Sequence, residues 1–256
     1  MVSFQSEGAI LQTHSYPDFM SMRSNAEKSE AWFVWTEVGL TLWIYFLLVT
    51  LFIAVPPFVV PAFGFHLNLR QGTSVTLAGV LLAEVVAFTA LVLWLRRRSL
   101  SLRSLGFRRP TQWLPVIVAV ALALCYAGFT LMIPEVRSHA AEISTFKIWG
   151  VFVGVIGALV EETIFRGFIL TELQRLRTAA WMQVVVSGVT FGLLHFGFSW
   201  WGMVCTTVMG MFLAITYLWS GRSLLAPVAS HCLINIIIEP WLLLYVITYY
   251  ATMFST

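Results

Sequence analysis

Long apolar stretches alternate with short polar segments along most of this chain. A helix needs about 20 apolar residues to cross a bilayer, and several stretches reach that length. The pattern predicts seven transmembrane helices and a shorter eighth, so the expected fold is an all-α polytopic membrane bundle of about eight helices. The predicted ranges are 35–60, 75–95, 113–133, 146–177, 179–196, 201–219, 224–238 and 241–254.

Composition agrees with this pattern, because 59% of the residues are hydrophobic, only 11% are charged and the mean hydropathy is +0.85. Soluble domains carry about 25% charged residues. Residues 1–34 are mixed and polar and predict an N-terminal tail, whereas 35–256 predict a single transmembrane domain. No stretch combines basic and aromatic residues on a soluble surface, so we expect no nucleic-acid partner.

The three cysteines lie far apart in apolar segments and are predicted to be buried: Cys125, Cys205 and Cys232.

Arginine positions predict how the chain is oriented in the bilayer. Six arginines and no acid lie in residues 96–109, and Arg175 and Arg177 end the fourth span. Arginine-rich loops remain cytoplasmic, so both segments are predicted there, beside anionic lipid headgroups, with residues 134–147 outside. Eight spans would place both termini in the cytoplasm. The compact chain is typical of a multi-pass protein of the bacterial plasma membrane.

The segment Glu161-Glu162-Thr163-Ile164-Phe165-Arg166 interrupts the apolar pattern of the fourth span. Each ionisable group at membrane depth costs at least ~2.5–3.5 kcal/mol, so the three need partners or a wet cavity. Glu162 and Arg166 are four residues apart on one helical face and are predicted to pair. Glu161 points about 100° away and could face a cavity. A buried charge cluster that only joins helices is the alternative.

Other polar residues lie deep in predicted spans. Phe191 and His195 share a face of the fifth span, and His231 and Asn235 share a face of the seventh. Glu84 lies near the middle of the second span and needs a partner from another helix. Three spans therefore bring acids, imidazoles and an amide to membrane depth.

Counting residues places two of these groups at one level. If the fourth span is helical to its end and the chain turns at Thr178, Glu161 lies 17 residues before the turn and His195 lies 17 after it. Glu161 can act as a general base toward water, and a histidine can orient that water or protonate a leaving amine. Asn235 and His231 can donate hydrogen bonds to a developing oxyanion. Together these groups could hydrolyse an acyl bond without a covalent intermediate.

A metal site is the other interpretation of the same residues. His195, His231 and Glu161 could supply three zinc ligands and leave a fourth position for water. The sequence lacks a His-Glu-x-x-His helix, so these ligands would come from three separate segments. No cofactor is therefore favoured, and zinc remains the alternative.

Three motifs in order resemble one family, the CPBP intramembrane endopeptidases. These are also called Abi proteins, and they process CAAX proteins or bacteriocins. The motifs are Glu-Glu-x-x-x-Arg at 161–166, Phe-x-x-x-His at 191–195 and His-x-x-x-Asn at 231–235, and the basic loop Leu105-Gly106-Phe107-Arg108-Arg109 is also similar. The resemblance covers about residues 100–240.

The resemblance implies an eight-helix core with a catalytic cavity inside the bilayer. It implies that Glu161 and His195 activate water and that His231 and Asn235 stabilise the oxyanion. It implies a supporting role for Glu162, Arg166 and Phe191. The enzyme would be a metal-free glutamate protease or a metalloprotease, acting on membrane-embedded or lipid-anchored peptides.

Two functions without peptidase chemistry compete with this interpretation. The chain could be a catalytically silent immunity or scaffold protein of the same fold. It could also be a proton-coupled transporter, although it shows no repeated halves or matched helix breaks. The intact set of three motifs favours the enzyme, because a scaffold has no need of Asn235 beside His231.

Overall fold

The computed structural model describes residues 32–51, 64, 67–195 and 199–245, and helix is the only regular structure in this part of the chain. The predicted polar tail lies outside it, except that residues 32–34 already belong to the first helix. A further helix begins at residue 241 and reaches residue 245, where the described residues end. The α-helices are α1 Trp32–Leu51, α2 Leu69–Arg97, α3 Leu114–Thr130, α4 Pro134–Ala140, α5 Thr145–Glu162, α6 Leu170–Arg175, α7 Ala180–Leu194, α8 Ser199–Trp219 and α9 Leu225–Ile238.

The described helices confirm an all-helical membrane protein but not the predicted number of spans. Four are long and apolar enough to cross a bilayer: Trp32–Leu51, Leu69–Arg97, Thr145–Arg175 and Trp200–Trp219. A fifth span arises if α3 and α4, which meet at a bend of 113°, are counted together. Helices α7 and α9 are apolar but shorter. Helix α3 lies within the predicted third span of 113–133, and α4 begins at Pro134, directly after that span. Most of the predicted eighth span lies outside the described residues.

A π-helix, Thr163–Ile169, joins α5 to α6 and makes one continuous rod from Thr145 to Arg175. Its wider turns weaken the regular hydrogen-bond ladder, and π-helices of this kind are frequent at functional sites. The Ser187 hydroxyl of α7 donates to the Phe165 carbonyl at 3.1 Å, so a neighbouring helix supplies a partner for this backbone. The prediction that the fourth span stays helical through its charged end is confirmed.

Helix α5 lies at the centre of the bundle, with α2 on one side and α9 on another, while α7 packs along α8 and α3 packs along α9. Small residues permit the closest of these contacts. A Cβ on Gly192 of α7 would lie 1.8 Å from the Thr207 hydroxyl of α8. The π-helix fills the centre with aromatic rings: Phe165 packs edge-on against Tyr45 of α1, and Phe168 against Trp94 of α2.

The arginine-rich segments lie together at one end of the bundle. Arg108 donates to the Gly221 carbonyl at 2.7 Å, and the Thr111 amide donates to Ser220 at 3.0 Å, so the loop before α3 lies on the α8–α9 turn. Arg222 in that turn donates to the Leu170 carbonyl at 3.1 Å, which adds the start of α6. We call this the basic end.

The opposite end contains the segment predicted to be outside. Arg70, at the start of α2, pairs with Glu142 at 3.1 Å. The Lys147 ammonium donates to the carbonyls of Ile237 and Glu239 at 2.9 and 2.6 Å. The segments 96–109 and 134–147 therefore lie at opposite ends of the molecule, as their assignment to opposite membrane faces requires.

The predicted burial of the cysteines is wrong for two of the three. Cys125 and Cys205 are exposed, and Cys232 is partly buried. Both exposed cysteines lie on apolar helices of a membrane protein, whose outer surface is covered by lipid rather than by other helices. An apolar sequence context therefore did not distinguish a lipid-facing position from a core position.

Candidate active site

The predicted ion pair of the acidic motif lies in the interior of the bundle. Arg166 donates to Glu162 Oε1 at 2.9 Å, and both side chains are completely buried. A second nitrogen of Arg166 donates to the Gly210 carbonyl of α8 at 2.8 Å. Removing one member of a buried pair leaves the other charge uncompensated, so the two residues depend on each other for stability.

His231 of α9 joins this pair. Its Nδ1 lies 2.8 Å from Glu162 Oε1, the same oxygen that receives the Arg166 hydrogen bond. A carboxylate only accepts, so Nδ1 carries the proton and Nε2 of the neutral ring has a free lone pair. Glu162 thereby fixes both the tautomer and the direction of the imidazole.

The other ring nitrogen of His231 faces Glu161. Nε2 lies 3.9 Å from Glu161 Oε2, which is too long for a direct hydrogen bond. A water molecule accepts and donates at about 2.8 Å, so one water fits against both atoms at this separation. The Glu161 side chain keeps 17% of its surface exposed, whereas Glu162 keeps none. The two adjacent acids therefore occupy different environments.

Phe191 lies between the two histidines. Its carbonyl is 2.8 Å from His195 Nδ1, and its ring centroid is 4.7 Å from that of His195 and 5.8 Å from that of His231. The Arg166 guanidinium lies 4.5 Å from the same ring centroid, a cation–π distance. His195, the residue that ends α7, is thus linked to the carboxylate cluster through Phe191. Among the described contacts, His231 is the ring that faces Glu161, and the pairing of His195 with Glu161 stays a prediction.

Asn235 lies one helical turn beyond His231 and contacts α5. Its amide nitrogen donates to the Gly154 carbonyl at 2.8 Å. Gly154 and Glu161 are seven residues apart and share one face of α5. This face contacts α9 through two polar pairs, Gly154 with Asn235 and Glu161 with His231. An amide nitrogen has two N–H groups, and this contact uses one of them.

The structure also identifies the partner that Glu84 requires. Tyr45 of α1 donates its hydroxyl proton to Glu84 Oε1 at 2.6 Å, and both residues are buried. Gly157, one turn before Glu161, faces this carboxyl group, because a Cβ there would lie 4.0 Å from Glu84 Oε1. Tyr45 was not singled out from the sequence. Its only signal was the need of a mid-span acid for a hydrogen-bond donor on another helix.

The described residues contain no group of three His, Cys, Asp or Glu side chains that could hold a metal ion. Of the three alternative zinc ligands, His231 directs Nδ1 at Glu162, and His195 directs Nδ1 at a backbone carbonyl. Zinc-bound histidines also donate Nδ1–H to carboxylates or carbonyls, so these contacts do not decide the zinc interpretation, and we derive no step through a metal.

The fold and these contacts define a class of protein: a helical membrane protein with a glutamate–histidine cluster buried among its helices. Residues 143–237 match the family described as type II CAAX prenyl endopeptidase, Rce1-like. The match supports an assignment of this segment to the CPBP family of CAAX proteases and agrees with the resemblance seen in the sequence. All three motifs lie within it. Comparison with curated proteins and with solved structures gave no match.

Proposed function

We propose that this protein is an intramembrane endopeptidase that hydrolyses peptide bonds of membrane-embedded or lipid-anchored substrates. The observation that carries the proposal is the separation of 3.9 Å between Glu161 and His231 Nε2, with His231 oriented by buried Glu162. A base, a second polar group for the same water and a fixed orienting group are the parts that a water-activating hydrolase needs.

In the proposed reaction, water binds between Glu161 and His231. Glu161 takes one proton while the water oxygen attacks the peptide carbonyl carbon, and the carbonyl oxygen becomes an oxyanion. The proton then passes to the leaving nitrogen, the C–N bond breaks, and the second proton of the attacking water moves from the new carboxyl group to the released amine, so the products are a carboxylate and an ammonium group. Atoms and charges balance without a cofactor.

The remaining motif residues are proposed to serve the later steps. Asn235 directs its second amide N–H to the oxyanion, and His231 does the same while its Nε2 holds the proton that Glu161 took from water. His195 relays this same proton to the leaving nitrogen. Glu162 and Arg166 do not touch the substrate in this scheme, because both are completely buried and are occupied by each other, by His231 and by Gly210.

The substrate class follows from the family only as a proposal. The matched family is described by its action at CAAX prenyl sites, and the same fold in bacteria would also suit bacteriocin-like peptides. We propose an enzyme of the bacterial plasma membrane, with the basic end cytoplasmic and both termini on that side.

The proposal is tested with cells and proteoliposomes that contain either the native protein or Glu161→Gln. We expect membrane-associated peptides to accumulate uncut with Glu161→Gln, in a comparative mass-spectrometric survey of peptide termini. Glu172→Gln is the matched control, because this acid is also buried but pairs with Arg175 at the end of α6. If neither native protein nor variant cleaves any peptide and both give the same cellular effect, the scaffold function replaces the peptidase.

A further inference from the structure

The arginine-rich loop before α3 forms one wall of a groove that the proposed reaction does not use. The groove has a volume of about 750 Å³ and lies between residues 106–110, the start of α3, and helices α5 and α9. This volume falls within the ~300–1,000 Å³ that is usual for small-molecule sites. Its walls are mainly apolar and include Phe107, Trp113, Leu159 and Val228, whereas Arg108 and Arg109 provide its positive charge.

The two arginines have different tasks. Arg108 donates through Nε and Nη2 to the carbonyls of Arg222 and Gly221 at 3.2 and 2.7 Å, which fixes the loop on the α8–α9 turn. Arg109 is exposed, and within the described residues no hydrogen bond or ion pair engages its guanidinium. Arg108 is therefore held in place in the wall of the groove, whereas Arg109 offers a charged hydrogen-bond donor at its rim.

The residues that line the groove indicate its depth in the membrane. Trp113, whose side chain is 61% exposed, stands immediately before the apolar helix α3. Exposed tryptophans at the ends of transmembrane helices lie at headgroup level. Leu159 and Val228 lie inside α5 and α9, so the groove extends from this level toward the hydrocarbon.

We propose that this groove binds one anionic phospholipid, with an acyl chain against Phe107, Leu159 and Val228 and the phosphate at Arg109. The charge at the rim matches the headgroup, and the apolar walls match the chain. Arginine binds phosphate through two parallel hydrogen bonds, which a zwitterionic headgroup with its own cation satisfies less well. A soluble phosphate could use the rim but would leave the apolar walls empty.

The test uses the purified full chain in lipid-depleted detergent micelles, with thermal unfolding as the readout. Adding dioleoylphosphatidylglycerol is expected to raise Tm by about 2–4 °C, the size of shift that weak specific binding produces in a chain of this length. The shift should shrink at high salt, because screening weakens the contact at the exposed rim. Dioleoylphosphatidylcholine and glycerol phosphate, which lack the net charge or the chain, should give no shift.

Matched variants separate the groove from the general basicity of this end. Arg109→Gln should abolish the phosphatidylglycerol shift, whereas Arg103→Gln, which removes the same charge from the same loop outside the groove, should retain it. Val228→Trp fills the groove and should abolish the shift, whereas Val85→Trp on the exposed face of α2 should not. Leu225→Trp replaces Val228→Trp if the latter fails to fold.

Three outcomes would overturn the proposal. Equal shifts in Arg109→Gln and Arg103→Gln would show that charge at this end acts without a site. An unchanged shift in the groove-filling variant would show that no chain enters the groove. A shift produced by glycerol phosphate alone would indicate an anion site and not a lipid site. None of these readouts depends on peptidase activity, so the inference stands or falls separately from the proposed function.

Discussion

Two adjacent glutamates of one helix have opposite surroundings. Glu162 is completely buried and binds Arg166 and His231 through a single oxygen, at 2.9 and 2.8 Å. Glu161 retains some exposure and meets His231 only across 3.9 Å. In lipid, a charge without partners is costly, so Glu162 with its partners is a structural anchor. Glu161 is the more exposed of the two acids, and it is the one that activates water in the proposed reaction.

The first prediction separates the two acids by substitution. Glu161→Gln should abolish cleavage while Tm in detergent stays close to that of the native protein, because Gln keeps the shape but cannot accept a proton. Glu162→Gln should lower the free energy of unfolding by up to about 3–5 kcal/mol, because Arg166 loses its counter-charge. Full cleavage by Glu161→Gln, measured by mass spectrometry of peptide products, would show that the assignment is wrong.

The second prediction concerns metal. A chelator such as EDTA is expected to leave peptidase activity unchanged, because no three-ligand group is present among the described residues and the proposed reaction uses no metal. The measurement is the cleavage rate before and after dialysis, followed by addition of zinc. Loss of activity that zinc restores would instead favour a metal held by His195, His231 and Glu161.

At the scale of the element, the contact of α5 with α9 brings the polar groups together. Gly154 and Glu161 lie on one face of α5, and Asn235 and His231 lie on the facing side of α9. A Cβ on Gly154 would lie 3.1 Å from the Asn235 Cβ, so only glycine permits the observed separation. The π-helix that follows keeps the rod continuous while Arg166 reaches back to Glu162.

The third prediction follows from that contact. Gly154→Ala should push the Asn235 side chain away from α5 and reduce cleavage at least several-fold, with a smaller effect on folding, because the displacement needed is a few tenths of an ångström. Gly128→Ala in α3 is the matched control, since no atom lies within 4 Å of a Cβ there, and alanine favours helix. Equal cleavage rates for the two variants would contradict the role assigned to Asn235.

At the scale of the whole molecule, charge is distributed between two ends. The basic end combines the loop before α3 with the α8–α9 turn and the start of α6. The opposite end holds Arg70, Glu142 and Lys147 in mixed ion pairs and carbonyl contacts. This asymmetry is the signal that the positive-inside rule uses, so the fold and the loop charges favour the same orientation.

The fourth prediction tests that orientation with single cysteines. The three native cysteines are first replaced by alanine, so that the introduced cysteine is the only thiol available to the reagent. Arg103→Cys should then be labelled by a membrane-impermeant maleimide only after the cytoplasmic side is opened, and Ser138→Cys should be labelled from outside in intact cells. Labelling of Arg103→Cys in intact cells would reverse the topology. The active-site proposal would be unaffected.

The sequence by itself determined the class of fold, the pairing of Glu162 with Arg166 and the helical continuation of the fourth span. Each depends on local periodicity or on the cost of charge in lipid, and neighbouring residues of one helix carry that information. It also placed the segments 96–109 and 134–147 at opposite ends, because loop charge is a local property. The family followed from the order of three motifs.

Only the tertiary structure decided which groups meet across helices. It brought His231 to Glu161, and it supplied Tyr45 for Glu84 and the Gly154 carbonyl for Asn235. It also exposed two cysteines that their apolar segments had predicted to be buried. The physical reason is that rotation of one helix against another is set by packing at glycines such as Gly154, and an all-apolar helix in lipid has no polar face in its sequence to reveal that rotation.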